Sequence, residues 1–493
     1  MGEVPTLVGI GCHPAAQEDC ATSCLLCVDL DGTLITSDLL WESFYLLFRE
    51  QPARLLLLPF WLLKGRAYLK RQIAEGVIPD VETLPYNQQV LAYLRDQRAK
   101  GQRLALVTAS EERCAKAVAE HLGLFDTVIA SDGRNNLKGD RKLEAIRRHL
   151  GAQDFDYIGD SKADLAVWSV ARRALVVGGG SSLRSKVQAM GVPYHFFDVP
   201  GRAQVSLFRL LRPHQWAKNV LLVLPVITAH RIWDRWAWLA ALWSIVAFCS
   251  TASAVYIIND LLDVSTDRRH SSKRNRPLAA GMLAIPTATG VAIGLLFFGS
   301  LFAALLPPAF GGLLLLYFVL TTAYSLYLKR KLIIDVVCLA ALYTLRIMAG
   351  GAATSIAISS WLLAFAMFFF LSLAFVKRYT ELIGLTNRPS HIEVTGRGYV
   401  PVDLELVRSV GPASGYLSVL VLCLYINSPD VVILYRHPQL LWLICPILLY
   451  WITRVWFLAG RERMHDDPVY FALSDRTSLI AGALSAAVMV IAH

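Results

Sequence analysis

Long apolar runs recur through the second part of the chain and constrain its fold more than any other feature. Nine stretches are apolar enough to predict membrane-spanning helices, although the first is short for a span of about 20 residues. They lie near residues 217–230, 236–258, 283–304, 308–327, 332–352, 359–376, 411–427, 439–459 and 475–492. The sequence therefore predicts an all-α transmembrane bundle of nine helices over residues 206–493.

The distribution of charge separates this part from the residues before it. Residues 1–205 hold 24 basic and 24 acidic side chains, so the net charge of +10 belongs entirely to residues 206–493. A composition of 55% hydrophobic and 17% charged residues excludes a disordered chain, and nine scattered cysteines exclude a disulfide scaffold. We predict a soluble domain over residues 1–205 joined to a membrane domain over residues 206–493.

The predicted loops also indicate an orientation. The loops after spans two, four, six and eight hold fifteen Lys and Arg residues, and the opposite loops hold three. Because cytoplasmic loops carry the excess of basic residues, we expect these four loops and the soluble domain to be cytoplasmic. The N-terminus shows no signal-peptide pattern. The predicted location is a bacterial-type inner membrane, crossed several times.

The soluble domain alternates short buried strands with helices. Strand-like segments lie at 25–31, 104–110, 155–160 and 174–177, and a mostly helical insertion follows the first of them at about 34–103. This alternation predicts a Rossmann-like α/β domain with a parallel sheet, a helical cap and polar chemistry at the carboxyl ends of the strands.

Acidic side chains stand where that chemistry is expected. Asp29 and Asp31 follow the first strand one residue apart, so one can attack a phosphorus atom while the other protonates the leaving oxygen. Acids alone repel a phosphate, and a cation with a positive side chain must complete the site. Groups able to do so follow in order: Thr108, Lys138, Asp160 and Asp164.

These ordered motifs resemble the haloacid dehalogenase superfamily, in its phosphoserine-phosphatase-like branch, over about residues 22–200. The resemblance implies that Asp29 is the nucleophile, that Asp31 is the acid and base, and that Thr108 and Lys138 hold the phosphoryl oxygens. It also implies Mg²⁺, which suits an all-oxygen site. The implied metal-site residues are Asp29, Asp31, Asp160 and Asp164.

The cap contains nine consecutive apolar residues at 55–63, flanked by Arg54, Lys64 and Arg66. This run is too short to span a bilayer. It is either a buried cap helix or a segment whose aromatic and leucine residues touch the membrane interface.

A second acidic cluster ends the second predicted span. Asp260, Asp263 and Asp267 would share one face of a continuous helix, beside Asn259. Three carboxylates on one face repel each other unless a cation lies between them, so they predict a Mg²⁺ site for a diphosphate. Basic residues able to bind phosphate oxygens follow at once: Lys273, Arg274 and Arg276.

This pattern resembles the UbiA superfamily of membrane prenyltransferases over about residues 206–493. The second acidic motif of its aromatic prenyltransferases is absent, because Asp335 is followed four residues later by Leu339. The segments 212–219, 346–351, 377–381 and 396–399 instead look like the decaprenyl-phosphate phosphoribosyltransferase branch. The resemblance implies that Asp260 and Asp263 are catalytic and bind metal with Asp267. The implied substrate-binding residues are Lys218, Asn259, Lys273, Arg274, Arg276, Tyr324, Lys329, Arg346, Lys377 and Arg378.

The resemblances together predict a bifunctional enzyme. It would transfer 5-phosphoribose from phosphoribosyl diphosphate to polyprenyl phosphate, release diphosphate, and then remove the sugar 5-phosphate in a step of cell-envelope synthesis. Nucleic-acid binding is not expected, since the basic charge is spread over membrane loops.

Two other functions stay open. One is an aromatic polyprenyltransferase that uses a polyprenyl diphosphate and carries a phosphatase of unrelated specificity. The other is a membrane carrier or scaffold with a degenerate sensor domain. The roles of Asp466, Asp467 and Asp475, the lipid chain length and the oligomeric state, including a homo-oligomer, are also left open.

Overall fold

The computed structural model of the protein describes residues 24–151, 153–197, 204–270, 273–384, 398–464 and 468–493. These residues form two compact units. The first consists of the described residues of Met1–Ala203 together with Leu262–Pro286, and the second consists of Gln204–Leu261 and the described residues of Thr287–His493. Asp466 and Asp467, whose roles the sequence left open, lie outside the described residues.

The first unit is built on a parallel sheet of six strands in the order β3-β2-β1-β4-β5-β6. The central strand β1 pairs with β2 on one side and with β4 on the other, with Val28 opposite Leu106 and Ile158. The predicted parallel α/β domain is confirmed. The strands are β1 (Leu25–Val28), β2 (Leu104–Glu111), β3 (Thr127–Ser131), β4 (Phe155–Gly159), β5 (Arg173–Val177) and β6 (Tyr194–Phe197).

Helices cover both faces of this sheet, because alternate residues of β1 enter different cores. Leu26 and Val28 belong to one core and Leu25 and Cys27 to the other. The helices of this part of the unit are α1 (Leu39–Glu50), α2 (Leu58–Leu63), α3 (Arg66–Gly76), α4 (Gln88–Ala99), α5 (Glu112–Leu122), α6 (Asp140–Leu150), α7 (Leu165–Trp168) and α8 (Ser181–Gln188).

The cap has a small core of its own. Leu47, Trp61, Ile73 and Val77, contributed by α1, α2 and the end of α3, are buried together. The last helix of the predicted insertion, α4, instead packs on the sheet through residues such as Leu94. The first three helices therefore form the cap, placed directly after β1.

The second unit is helical. In the described residues, seven helices are long and apolar enough to cross a membrane, and the bent pair α20 and α21 raises the number to eight at most. The helices from residue 204 onward are α9 (Gln204–Leu211), α10 (Leu224–Thr228), α11 (Arg235–Leu262), α12 (Val264–Arg269), α13 (Ile285–Ala303), α14 (Pro308–Leu326), α15 (Ile334–Thr354), α16 (Ser360–Ile383), α17 (Leu404–Ile426), α18 (Pro429–Leu434), α19 (Ile444–Gly460), α20 (Pro468–Ser474) and α21 (Arg476–Ala492).

The predicted count of nine transmembrane helices is not confirmed. The first predicted span, 217–230, is not one helix. It begins within the 3-10 segment Pro213–Val223 and continues through the five-residue helix α10. A segment this short cannot cross the hydrocarbon core by itself. It packs against α15, where a Cβ on Gly350 would lie 2.2 Å from the carbonyl oxygen of Leu222.

The apolar stretch of the cap is only partly buried. Trp61 enters the cap core, but Leu56, Phe60 and Leu63 are 78%, 63% and 85% exposed. The flanking residue Lys64 is exposed as well. A row of exposed apolar side chains with basic neighbours is typical of segments that lie in a membrane interface.

We expect the segment 55–63 to contact lipid in the full-length protein. Burying one side chain such as Phe60 stabilises such a contact by about 1.5–3 kcal/mol. The protein would be reconstituted in phosphatidylglycerol vesicles containing a diazirine lipid, irradiated and mapped by mass spectrometry. The control is the peptide around Val170, a residue 42% exposed in the same unit. Equal labelling of both peptides would contradict the prediction, and Phe60→Ser should reduce labelling at 55–63 only.

Candidate active site

Three strands of the first unit bring the predicted phosphatase residues to one edge of the sheet. Asp29 follows β1, Thr108 lies in β2 and Asp160 follows β4, and these strands are neighbours. The carboxyl ends of parallel strands meet at the same edge, which explains why residues far apart in sequence converge. Asp29 is held there by two backbone groups: its amide donates to the Ile158 carbonyl at 2.9 Å, and its carboxylate accepts from the Leu30 amide at 2.8 Å.

Three carboxylates at this edge are arranged to hold a metal ion. Oxygens of Asp29, Asp160 and Asp164 all lie within 4.8 Å of one another. Carboxylate oxygens at this spacing fit Mg²⁺, which prefers hard oxygen ligands. Among the described residues this is the one such group of three acidic, His or Cys side chains. The side chain of Asp31, also predicted as a metal ligand, is not in the group.

The pKa values of these acids reflect the crowding of negative charge. Burial, together with Asp164, raises the pKa of Asp29 to about 6, although Lys142 opposes this shift. Burial, and then Asp29 and Asp164, raises the pKa of Asp160 to about 8. A cation must therefore compete with protons for this site, so Mg²⁺ should bind more strongly as the pH rises from 6 to 8.

Lys142, which the sequence interpretation missed, is the cation that contacts these acids. Its ammonium group lies 2.8 Å from an oxygen of Asp29 and 3.2 Å from one of Asp164, and it donates to the Tyr157 hydroxyl at 2.8 Å. Burial lowers the pKa of Lys142, but the two carboxylates together outweigh it and raise the pKa. The signal in the sequence was its place four residues after Lys138, in the first turn of α6.

Lys138 itself lines the same cavity and stays a predicted phosphate-binding residue. A third lysine, Lys70 of α3, also lines the cavity and donates to the Ala109 carbonyl at 2.6 Å and to Asn136 at 3.2 Å. The cap thus supplies a positive charge that the motif pattern did not indicate. Three ammonium groups around one cavity favour a phosphorylated substrate.

Asp31 is held in a position suited to proton transfer. Its carboxylate accepts a 2.9 Å hydrogen bond from the Leu39 amide and a short one from the Ser110 hydroxyl. Burial and the nearby Asp38 raise its pKa to about 7, close to the value at which a carboxyl group can both donate and accept a proton. Thr108 is fully buried, and its hydroxyl accepts from the Ser110 amide at 3.0 Å.

The cavity above these acids has a volume of about 360 Å³. This is near the lower end of the range for small-molecule sites, about 300–1,000 Å³. It offers room for a sugar phosphate and not for a polyprenyl chain. Its walls come from the strand ends, from the cap and from the residues Ala284, Ile285 and Pro286.

The acids predicted for the transferase are not on one continuous helix. The helix α11 ends at Leu262, and Asp263 is the N-cap of α12. In the second unit, Asp260 pairs with Arg212 at 2.5 Å. In the first unit, Asp263 pairs with Arg49 at 3.4 Å and Asp267 with Arg276 at 2.6 Å. Mg²⁺ binding by these acids stays a prediction.

Two buried arginines dominate the polar interior of the second unit. Arg346, predicted to bind substrate, donates to Asn219 at 3.0 Å and to the Tyr317 hydroxyl at 3.1 Å. It faces polar groups, as expected for a charge within a membrane helix, and among the described residues no ion pair joins it to an acid. Lys218 is buried nearby, 5.7 Å from the ring of Tyr343.

Arg378 is the second of these arginines. It is 1% exposed and pairs with Asp335 at 2.6 Å, with Glu381, and with the Tyr324 hydroxyl at 3.3 Å. Asp335, the one acid where a second metal motif would lie, also accepts a 2.7 Å hydrogen bond from Tyr399. An ion pair with an arginine and a hydrogen bond from a tyrosine thus hold this carboxylate.

The remaining predicted binding residues lie on surrounding elements. Asn259 lies in α11 and Lys377 in α16, while Lys329 lies in the 3-10 segment Leu328–Arg330. In the first unit, Lys273 and Arg274 are exposed in the 3-10 segment Lys273–Asn275. Their roles in substrate binding stay predictions.

We predict that Gly32→Ala disrupts the metal site. Gly32 has φ +77°, and a Cβ there would lie 2.2 Å from a carboxylate oxygen of Asp160. Gly123→Ala is the matched control, because Gly123 has φ +62° with nothing within 4 Å of the added Cβ. Both variants take on the left-handed strain of roughly 1–2 kcal/mol, but only Gly32→Ala moves a metal ligand. The increase in melting temperature on adding Mg²⁺ should be lost in Gly32→Ala and kept in Gly123→Ala. Equal Mg²⁺ responses would contradict the site.

The two lysines of the cavity should respond differently to replacement. Lys142→Met leaves two buried carboxylates without their cation and should destabilise the first unit by about 3–5 kcal/mol. Lys138→Met should leave thermal stability nearly unchanged and raise the KM for a phosphate ester. Denaturation curves and hydrolysis of p-nitrophenyl phosphate measure both effects. Equal losses of stability would show that Lys142 has no special structural role.

Family comparisons agree with both parts of the chain. The family model for the UbiA prenyltransferase family matches residues 221–475, and the one for haloacid dehalogenase-like hydrolases matches residues 26–168. The protein y4nM of Sinorhizobium fredii, described as uncharacterized, is 39% identical over 472 residues, which cover 95% of this chain and 90% of that protein. This match runs through both parts.

Other relatives match a smaller share of the chain. Nodulation protein NoeC of Azorhizobium caulinodans is 34% identical, over 55% of this chain and 87% of that protein. A decaprenyl-phosphate phosphoribosyltransferase of Corynebacterium glutamicum is 34% identical, over 43% of this chain and 65% of that protein. Among solved structures, a UbiA homologue of Archaeoglobus fulgidus bound to DMAPP and Mg²⁺ matches 58% of this chain and 98% of its own, with a TM-score of 0.45 and 18% identity.

Proposed function

Because the chain belongs to the UbiA prenyltransferase family and begins with a haloacid dehalogenase-like hydrolase domain, we propose that it makes a polyprenyl-phosphoryl sugar in two steps. In the first, 5-phosphoribose passes from phosphoribosyl diphosphate to polyprenyl phosphate and diphosphate leaves. In the second, water removes the sugar 5-phosphate. The similarity to decaprenyl-phosphate phosphoribosyltransferases carries the first step. The acids around Asp29 carry the second.

The polar residues of the second unit suit a transfer between two anions. The acceptor is a phosphate monoester, which is already a nucleophile and needs no general base. Buried cations are what such a substrate requires, and Lys218 and Arg346 lie in the interior of this unit. Where aromatic prenyltransferases use a second acidic motif, this chain has Asp335 already paired with Arg378. The absence of that motif favours a sugar donor over a prenyl donor.

The positions of two acids support the proposed phosphatase step. The Asp29 carboxylate attacks the phosphorus atom, and the bond between phosphorus and the sugar oxygen breaks as Asp31 gives its proton to that oxygen. Asp31, now a carboxylate, takes a proton from water as the water attacks the aspartyl-phosphate. Inorganic phosphate leaves and Asp29 is restored. Lys142 stabilises the charge of Asp29, and Lys138 and Lys70 are placed to hold the phosphoryl oxygens.

Mg²⁺ suits the attack of Asp29 on the phosphate in the phosphatase domain. Asp29, Asp160 and Asp164 would hold the ion, which would neutralise phosphate charge and so allow an anionic nucleophile to approach. For the transferase, Asp260, Asp263 and Asp267 remain the predicted Mg²⁺ ligands for the departing diphosphate.

Asp29→Asn should separate the two steps. With phosphoribosyl diphosphate and polyprenyl phosphate as substrates, the variant should accumulate a sugar lipid that still carries the 5-phosphate, while the wild-type protein should release inorganic phosphate. Thin-layer chromatography and mass spectrometry distinguish the two products. Asp96→Asn is the control, because Asp96 is exposed near the end of α4, where its contacts are with Lys100 at 2.7 Å and Gln97 at 3.2 Å.

Each step can be overturned separately. If Asp29→Asn accumulates no phosphorylated sugar lipid although the transferase turns over, the phosphatase acts on another substrate. If diphosphate is released with a polyprenyl diphosphate and an aromatic acceptor but not with phosphoribosyl diphosphate, the protein is an aromatic prenyltransferase instead.

A further inference from the structure

The segment of residues 262–286 links two helices that are each long and apolar enough to cross a membrane, α11 and α13. It nevertheless belongs to the first unit, with the sheet and the cap. Asp263, predicted to bind metal and diphosphate, pairs with Arg49 of the cap, and further residues of the segment attach it to the same domain. This arrangement raises the question of what the segment contributes to the phosphatase.

A buried ion pair fixes the segment to the cap. The guanidinium of Arg268 donates to both carboxylate oxygens of Glu42, at 2.6 and 3.2 Å, and both side chains are nearly inaccessible to solvent. Arg268 also donates to the Ala279 carbonyl at 3.1 Å, so it braces the segment internally. Glu42 in turn accepts a short hydrogen bond from Ser37, a residue of the cavity wall. A bidentate buried pair defines a geometry more sharply than an exposed one.

The backbone of the segment also approaches the cap closely. Gly281 has φ +66°, and a Cβ there would lie 2.2 Å from the Thr36 hydroxyl and 2.9 Å from Pro85. Thr36 follows the acids of the first motif and lines the cavity. Only glycine permits this approach, so the segment is fitted against the entrance of the active site.

Three residues then complete the cavity. Ala284, Ile285 and Pro286 line the same space as Asp29, Asp31 and Lys70. Ile285 and Pro286 are also the first residues of α13, a helix able to enter a membrane. This part of the cavity wall is therefore apolar, and it is continuous in sequence with α13. A cavity of about 360 Å³ has room for a sugar phosphate, and an apolar wall suits an apolar substituent attached to that sugar.

We propose that the segment 262–286 is a specificity wall of the phosphatase, held in place by Arg268, which makes the site prefer phosphate monoesters attached to a membrane lipid over the same monoesters in solution. Arg268 is a positioning residue, and Ala284 and Pro286 contact the substrate where its lipid part leaves the cavity. The proposal rests on the phosphatase activity proposed above and adds its selection of substrate.

The test compares one headgroup in two forms. Full-length protein in nanodiscs is assayed with free ribose 5-phosphate and with polyprenyl-phosphoryl ribose 5-phosphate prepared with the Asp29→Asn variant. The wild-type protein should have the higher kcat/KM for the lipid form. Ala284→Trp, which enlarges a side chain of the cavity wall, should reduce the ratio of kcat/KM for the lipid form to kcat/KM for free ribose 5-phosphate by about tenfold or more.

Arg268→Met should also lose the preference for the lipid form, and Arg269→Met is its matched control. Arg269 is the next residue of the same helix, but its side chain is 66% exposed and pairs with Asp80 at the surface. Exposed pairs of this kind contribute roughly 0–1 kcal/mol, so Arg269→Met should behave like the wild-type protein. Arg268→Met leaves Glu42 buried without its cation, so Arg268→Met/Glu42→Gln is measured as well, because it removes the charge of both partners.

The possible results distinguish a failure of the wall proposal from a failure of the proposed function. If the Ala284 and Arg268 variants change both substrates in the same proportion, or neither substrate, the wall proposal is wrong. If the wild-type protein hydrolyses neither form, the proposed function fails, and the wall is then tested with phosphatidic acid against glycerol 3-phosphate. A preference for phosphatidic acid that is lost in Ala284→Trp would support the wall, and a preference that is kept would overturn it.

Discussion

The phosphatase site depends on one buried ammonium group. Asp29 and Asp164 would repel each other and lose their hydration if they were alone at the strand ends, yet both are buried. Lys142 lies within 2.8 Å of one and 3.2 Å of the other, so the folded state keeps two carboxylates in a confined space without a large electrostatic penalty. Their pairing with Lys142 also leaves oxygens close to Asp160, where a divalent cation fits.

The second unit also contains buried charges, and these are carried by arginine. Arg346 and Arg378 are buried in helices long enough to cross a membrane, where an unpaired charge is costly. Arg378 is neutralised by Asp335 and Glu381, whereas Arg346 is surrounded by neutral oxygen groups. A cation without an acidic partner attracts an anion from outside. This difference supports the proposed substrate-binding role of Arg346, and the same role stays a prediction for Arg378, which also joins the helices around Asp335.

The parallel sheet and part of its active site were predictable from sequence, because strands, helices and strand-end motifs follow one another in a fixed order. The alternation of strands and helices indicated the parallel sheet, and polar residues at the ends of three predicted strands indicated the meeting of Asp29, Thr108 and Asp160. Helical spacing was less reliable beyond the end of α11. The spacing of Asp260, Asp263 and Asp267 suggested one face of one helix, but the chain turns at Asp263, which caps the next helix. The spacing of acids along the sequence does not show where a helix ends. Asp263 could continue α11 or cap the next helix, and only the structure shows which occurs.

The sequence by itself determined that this chain combines a parallel α/β hydrolase domain with an apolar helical part. Both follow from local patterns, namely short apolar strands that alternate with helices and long apolar runs. Only the tertiary structure decided that Lys142 is the partner of Asp29, that Trp61 is buried while Phe60 is exposed, and that residues 284–286 line the phosphatase cavity. The reason is that such contacts join residues far apart in the chain. Arg268 and Glu42 are separated by 226 positions, and no local pattern links them until both elements have packed.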